Sequence, residues 1–144
     1  LPDVRRRHFG DLSPDCGPSA PHPTAGAMAV GARPILVAYN VWLADATLAE
    51  AKSTAADLRQ RDVRALGLQV GDRAQVSMNL VNPHRTGPAA VVDAIAKQHL
   101  VERCELVGLA PRSVLDAVDR DRWDDLDLAE ETTIEWRLSR RLRQ

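Results

Sequence analysis

Aromatic residues are scarce in this chain: one Phe, one Tyr and three Trp, or 3% of 144 residues. A core of this size therefore has to be filled by Leu, Val, Ile and Ala. Cysteine is nearly absent as well, and the two present, Cys16 and Cys104, are too few for a disulfide framework and sit at no metal-ligand spacing. Free thiols and a reducing, cytoplasmic setting are the expectation. Charge is close to balanced, with a formal net charge of −1. A nucleic-acid-binding face needs a basic surface to displace counterions, and none is evident, so no nucleic-acid partner is expected. The clustered Arg137, Arg140, Arg141 and Arg143 reads as a solvated helix end, where cations are favourable. No apolar run reaches membrane-spanning length and no leader pattern opens the chain, so no membrane partner is expected either. The four histidines share no ligand spacing, and the acidic run 119–131 lacks the Gly-centred loop of a calcium site, so no metal is expected.

What the chain has in abundance is concentrated. Pro and Gly cluster in residues 1–33, through Pro14-Asp15-Cys16-Gly17-Pro18-Ser19 and Pro21-His22-Pro23-Thr24-Ala25-Gly26 to Gly31. Such punctuation bars regular structure, and Arg5-Arg6-Arg7-His8 ahead of it reads as a solvated lead-in. From residue 34 the pattern becomes periodic. Residues 34–43 alternate as a strand, with Ile35, Val37, Tyr39 and Val41 on one side and Leu36, Ala38, Asn40 and Trp42 on the other. Thr47-Leu48-Ala49-Glu50 has the form of a capping box opening an amphipathic helix over 47–61. A second strand covers 64–70, a third 73–81, and Pro88 starts a helix as a first-turn proline. Cys104 to Leu109 makes a fourth strand, and helical segments close the chain. The order β-α-β-β-α-β predicts an α+β, ferredoxin-like sheet with the first and third strands central, two helices on one face and a helical C-terminal tail. The corresponding division is 1–33 as a Pro/Gly-rich segment, 34–118 as the sheet domain, and 119–144 as an acidic then basic tail.

Strand parity then assigns the helix-free face. The second strand is read with Leu66, Leu68 and Val70 toward the helices, leaving Ala65, Gly67 and Gln69 beside Gln75, Ser77 and Asn79 of the third. Asn40, Ser77 and Asn79 should meet near the centre of that face. Leaving Leu36 and Trp42 in water would forgo about 1.5–3 kcal/mol each. Uncharged amides also suit a ligand-lined or covered surface better than a freely solvated one, so another domain, a second copy or a ligand channel is expected against it.

Five segments in order resemble the C-terminal subdomain of the glutamate formimidoyltransferases. They are Pro14–Ser19, Gly31-Ala32-Arg33, Leu36–Val41, Ala74–Leu80 and Glu105–Pro111. The resemblance implies transfer of a formimino group from N-formimino-glutamate to tetrahydrofolate, an acceptor bound by the loop Gly17, Pro18, Ser19, Ala20, Pro21, His22, Pro23, Thr24, Ala25 and Gly26. Ser19 is then a hydrogen-bond donor to the folate. It also implies that the catalytic His belongs to an N-terminal subdomain outside this chain, so no catalytic residue is assigned here and the chain alone is expected to be inactive. Two positions depart from the family: Cys16 stands where an aromatic is usual, and Ala25-Gly26 where Trp-Gly is common. The chain starts at Leu1, which fits a piece of a longer enzyme. The alternatives are a free-standing, non-catalytic folate-binding or homodimerising module, and a remnant with no ligand.

Overall fold

The computed structural model describes residues 2–142 and divides into two units, residues 1–33 and 34–144. In the first unit a helix, α1, spans Pro2–Arg7, where the sequence predicted only a solvated lead-in. The physical reason is local. Pro at a first-turn position costs no hydrogen bond, Asp3 lies in the first turn, and Arg5, Arg6 and Arg7 lie in the last, complementing the helix dipole at both ends. The arginine side chains remain exposed.

The second unit holds β1 (Val37–Leu43), α2 (Leu48–Leu58), β2 (Val63–Val70), β3 (Arg73–Leu80), α3 (Pro88–Ala96), β4 (Val101–Val107), α4 (Arg112–Leu115) and α5 (Ile134–Arg141). The strands form a four-stranded sheet in the order β2-β3-β1-β4, with every neighbouring pair antiparallel. The expected α+β class is observed. Thr47 and Glu50 form the capping box: Glu50 Oε2 accepts from the Thr47 backbone N–H and hydroxyl, both at 2.7 Å, and the Glu50 N–H donates to Thr47 Oγ1 at 3.3 Å. Ala51, Thr54 and Ala55 of α2 and Val91, Val92 and Ile95 of α3 face the sheet. All of these but Thr54 share one hydrophobic core with Val37, Tyr39, Val41, Leu43, Ala74, Val76, Met78 and Leu80.

The register corrects the expected facing of β2. Ala65 and Gly67 pair with Met78 and Val76 and are buried beneath α2. Leu66, Leu68 and Val70 pair with Ser77, Gln75 and Arg73 and are 59%, 38% and 43% exposed on the opposite face. Ala65 and Gly67 therefore leave the helix-free face to which parity had assigned them. The cause is the close approach of α2. A Cβ on Gly67 would overlap the Ala51 carbonyl carbon and the Lys52 amide nitrogen. At Ala65 and Gly67 only small residues fit under the helix, so Leu66, Leu68 and Val70 are turned away, while Val63 at the start of the strand is buried on the helix side. The first strand also starts later than its pattern suggested, at Val37, which leaves Ile35 54% exposed. The fourth starts earlier, at Val101.

The acidic run is not wholly solvated. Trp123, Leu126 and Leu128 belong to the core. Tyr39, buried, donates its hydroxyl to the Leu126 carbonyl at 2.6 Å, and Asp127 accepts from the Leu106 N–H at 2.9 Å. Burial pushes the phenol of Tyr39 and the thiol of Cys104 above their ordinary values. The segment that follows β4 is thus stitched to β1 and β4 by buried contacts.

Two outcomes test this packing. Gly67→Ala should lose about 1–3 kcal/mol of stability in chemical denaturation, the cost of overfilling a tight contact; an unchanged midpoint would mean α2 does not sit on that strand. The Thr47 hydroxyl, and then the Thr47 backbone N–H, hold the Glu50 carboxyl below its ordinary value. A lowered carboxyl contributes stability above its unfolded pKa and loses it as pH falls through the folded one. Glu50→Ala should therefore melt below the wild type at neutral pH, with the gap closing as pH drops under about 4; a gap independent of pH would show that the box stabilises by packing alone.

Candidate functional site

The sheet has one face covered by helices, and the other is built in rows by the antiparallel register. Leu68, Gln75, Trp42 and Arg103 form one row across the sheet. Leu66, Ser77, Asn40 and Glu105 form the next, and Arg64, Asn79, Ala38 and Val107 the third. Asn40, Ser77 and Asn79, predicted to meet, do lie together: Asn40 is directly opposite Ser77, and Asn79 is one pair removed on the same face. Asn40 and Ser77 are half-buried and Asn79 is exposed.

The sharpest geometry of this face lies at a residue the sequence reading passed over. The Glu105 carboxylate accepts from Asn40 Nδ2 at 3.0 Å and from Trp42 Nε1 at 3.4 Å, both on Oε2. The Trp42 ring is in turn covered by the Arg103 guanidinium, 4.4 Å from its centroid. Trp42 is only 8% exposed and Gln75 beside it 5%. The indole thus escapes the cost expected of a wet face, because Gln75 flanks it and Arg103 stacks on it, a contact worth about 0.5–1 kcal/mol at a surface. Starting β4 at Cys104 rather than Val101 left the parity of Glu105 unassigned in the sequence reading. Around this polar centre, Leu66, Leu68, Val70 and Val107 expose between 38% and 59% of their surface. Such a strip with a polar middle is the character of a surface that meets something.

The loop residues Gly17, Pro18, Ser19, Ala20, Pro21, His22, Pro23, Thr24, Ala25 and Gly26 all lie exposed in the first unit. The stretch 22–26 is a closed turn. His22 and Gly26 exchange backbone hydrogen bonds of 3.0 and 2.9 Å, and His22 Nδ1 accepts from the Ala25 and Thr24 N–H groups at 3.1 and 3.3 Å. With Nδ1 accepting, the imidazole proton sits on Nε2. Gly17 and Gly26 take positive φ of 89° and 69°, a conformation open to glycine at little cost. A second histidine whose ring nitrogen is hydrogen-bonded, His99, meets the Thr54 hydroxyl at 2.7 Å. That hydroxyl donates to the Glu50 carbonyl at 2.9 Å, so His99 Nε2 is the donor to it, a structural link between α2 and the turn after α3.

Among the described residues no group of three or more His, Cys, Asp or Glu is placed to hold a metal ion. Among them, too, no helix is long and apolar enough to cross a membrane.

No protein-family model matches the chain. Curated relatives do. A glutamate formimidoyltransferase of Streptococcus pyogenes is 38% identical over 117 residues, covering 73% of this chain and 39% of the relative. A formimidoyltransferase-cyclodeaminase of Sus scrofa is 36% identical over 126 residues, covering 74% of this chain and 23% of the relative. A glutamate formimidoyltransferase of Thermoplasma acidophilum is 33% identical over 114 residues, covering 71% and 37%. The chain therefore spans well under half the length of these relatives. The resemblance read from the five ordered motifs is borne out: this chain belongs to the glutamate formimidoyltransferase family, as a stretch that matches part of each relative.

Proposed function

We propose that this chain is the C-terminal, folate-binding half of a formimidoyltransferase-like enzyme that moves a formimino group from N-formimino-glutamate to tetrahydrofolate. The observation that carries the reading is the helix-free sheet face, where Asn40, Ser77 and Asn79 share one surface with an oriented carboxylate inside an exposed apolar margin. Neutral amides and a hydroxyl supply both donors and acceptors, which suits the amide-like edge of a pterin and the amide of its glutamate portion. The reading takes the sheet to be one ferredoxin-like half of the enzyme. It adds a second, separate set of folate contacts, the loop Gly17–Gly26, argued within its own unit. There the closed His22–Gly26 turn fixes the backbone, and a fixed loop binds without a further ordering cost.

The occupant opposite the sheet is the portion of the relatives' length that this chain does not span. On this reading that portion supplies the catalytic His and hence the proton transfers of the group exchange. The isolated chain then binds without turning over, in a cytoplasmic setting. A second copy of the chain is the other cover that the apolar strip suits.

Calorimetric titration of the chain with folinate, a stable tetrahydrofolate analogue, tests the reading. Binding that weakens at least tenfold when Asn40 and Asn79 are both changed to Ala is the expected result, from the loss of about 1.4 kcal/mol or more of hydrogen bonding. No heat of binding with the wild-type chain would remove the folate assignment. A sedimentation result showing a dimer whose formation excludes folinate would favour the second copy.

A further inference from the structure

We propose that α5 and Leu109 form a docking site for an acidic peptide segment of a partner protein, one that carries a large apolar side chain among its carboxylates. The helix is not a loose tail. Thr133, buried, caps it: its Oγ1 accepts from the Trp136 N–H at 3.2 Å, and the Ile134 N–H donates to the Ala110 carbonyl at 3.0 Å. The Glu135 carboxylate accepts from the Arg112 N–H at 2.8 Å. Fastened in this way to the segment that follows β4, α5 frames an open depression of about 720 Å³ lined by Leu109, Trp136, Arg137, Arg140 and Arg141. Leu109 is 38% exposed and Trp136 is half-buried. The Arg140 and Arg137 guanidiniums stand over the indole, 5.0 and 5.6 Å from its centroid. Arg137 Nε also donates to the Glu131 carbonyl at 3.0 Å, which fixes that side chain.

The charge of this depression is uncompensated. Arg112 and Arg122, earlier in the same unit, are paired with Asp116 and Glu130 and with Asp93. None of the ion pairs among the described residues involves Arg137, Arg140 or Arg141. Arg143 of the same cluster lies outside the described residues. Guanidiniums set around an indole and a leucine offer charge-assisted hydrogen bonds at the rim and an apolar floor, and arginine clusters read acidic motifs by such contacts. The volume is that of a small-ligand site, enough for one large side chain and the residues beside it. A long polyanion suits it less. The chain has a net charge of −1 and the acidic run 119–131 leads directly into the helix, so a phosphate backbone or an anionic bilayer continuing past the cluster would meet carboxylates. None of the lining residues lies in the rows of the helix-free face, so the site stands apart from the folate reading.

The test titrates the full chain, labelled with nitrogen-15, with an end-blocked peptide of one leucine between two pairs of glutamates. The Trp136 indole N–H and the Nε–H groups of Arg140 and Arg141 report. Saturable shifts centred on α5 and Leu109 are expected. Replacing the glutamates by glutamines should weaken binding about fivefold, the loss of roughly two surface ion pairs. Replacing the leucine by glycine should weaken it by about fivefold or more, from the apolar burial forgone. Arg140→Gln combined with Arg141→Gln should bring the glutamate peptide down to the affinity of the glutamine one. Both side chains are exposed, and a dispersed spectrum confirms that the variant folds. The absence of a saturable shift at α5 would overturn the proposal. So would equal binding of the glutamate and glutamine peptides, or an unchanged affinity in the double variant. Tighter binding to phosphatidylserine vesicles or to an oligouridylate than to the glutamate peptide would also overturn it, assigning the cluster to a membrane or a nucleic acid.

Discussion

The second unit is organised by one close contact, the seat of α2 on the backbone of β2 at Gly67. The helix approaches until Ala51 and Lys52 occupy the space a side chain would need. At that distance only Gly67 and Ala65 fit beneath it. Strand alternation then turns Leu66, Leu68 and Val70 outward. A packing demand on one side of the sheet thereby decides the chemistry of the other. The outward residues give the helix-free face an apolar margin that a polar, solvent-facing sheet would not have.

Within that margin the sheet register does the chemical work. It places Asn40 beside Ser77 on one side and beside Glu105 on the other. The carboxylate sits at the junction of β1 and β4 and is held by an amide and an indole from β1. Arg103, on the same strand as Glu105, is committed to the Trp42 ring. Cross-strand pairs of this kind are the unit from which sheet surfaces are built. Here one set of pairs buries the indole and leaves an oriented anion. The segment after β4 supports the arrangement from beneath, since Asp127 caps the Leu106 N–H and Leu126 receives the Tyr39 hydroxyl.

The family relationship and the geometry bear on different questions. Relatives at 33–38% identity establish the family over roughly three-quarters of the chain. Each of those relatives is much longer, so their activity belongs to more polypeptide than is present here. What the geometry contributes is local: which side chains share a surface, how they are held, and what charge they offer.

Several features were legible in the residues alone. The Thr47–Glu50 box, the first-turn Pro88, the clean alternation of Ala74 to Leu80 and the order of strands and helices all follow from short-range chemistry, which is written in neighbouring residues. The family signal was legible for a similar reason, since its motifs are contiguous. Even the shared face of Asn40, Ser77 and Asn79 followed from counting in twos along two strands with clear alternation. The facing of β2 was not legible, because Leu66, Leu68 and Val70 alternate as well as any core strand would. Which of two alternating sets goes inside depends on what lies above it, and that is a helix distant in the chain. Glu105 was missed on the same ground: its partners Asn40 and Trp42 are 65 and 63 residues away. The sequence by itself determined the elements of the second unit, their order and the kinship. Only the tertiary structure decided which way β2 faces and where the Glu105 carboxylate stands, because those depend on contacts between residues that no local pattern connects.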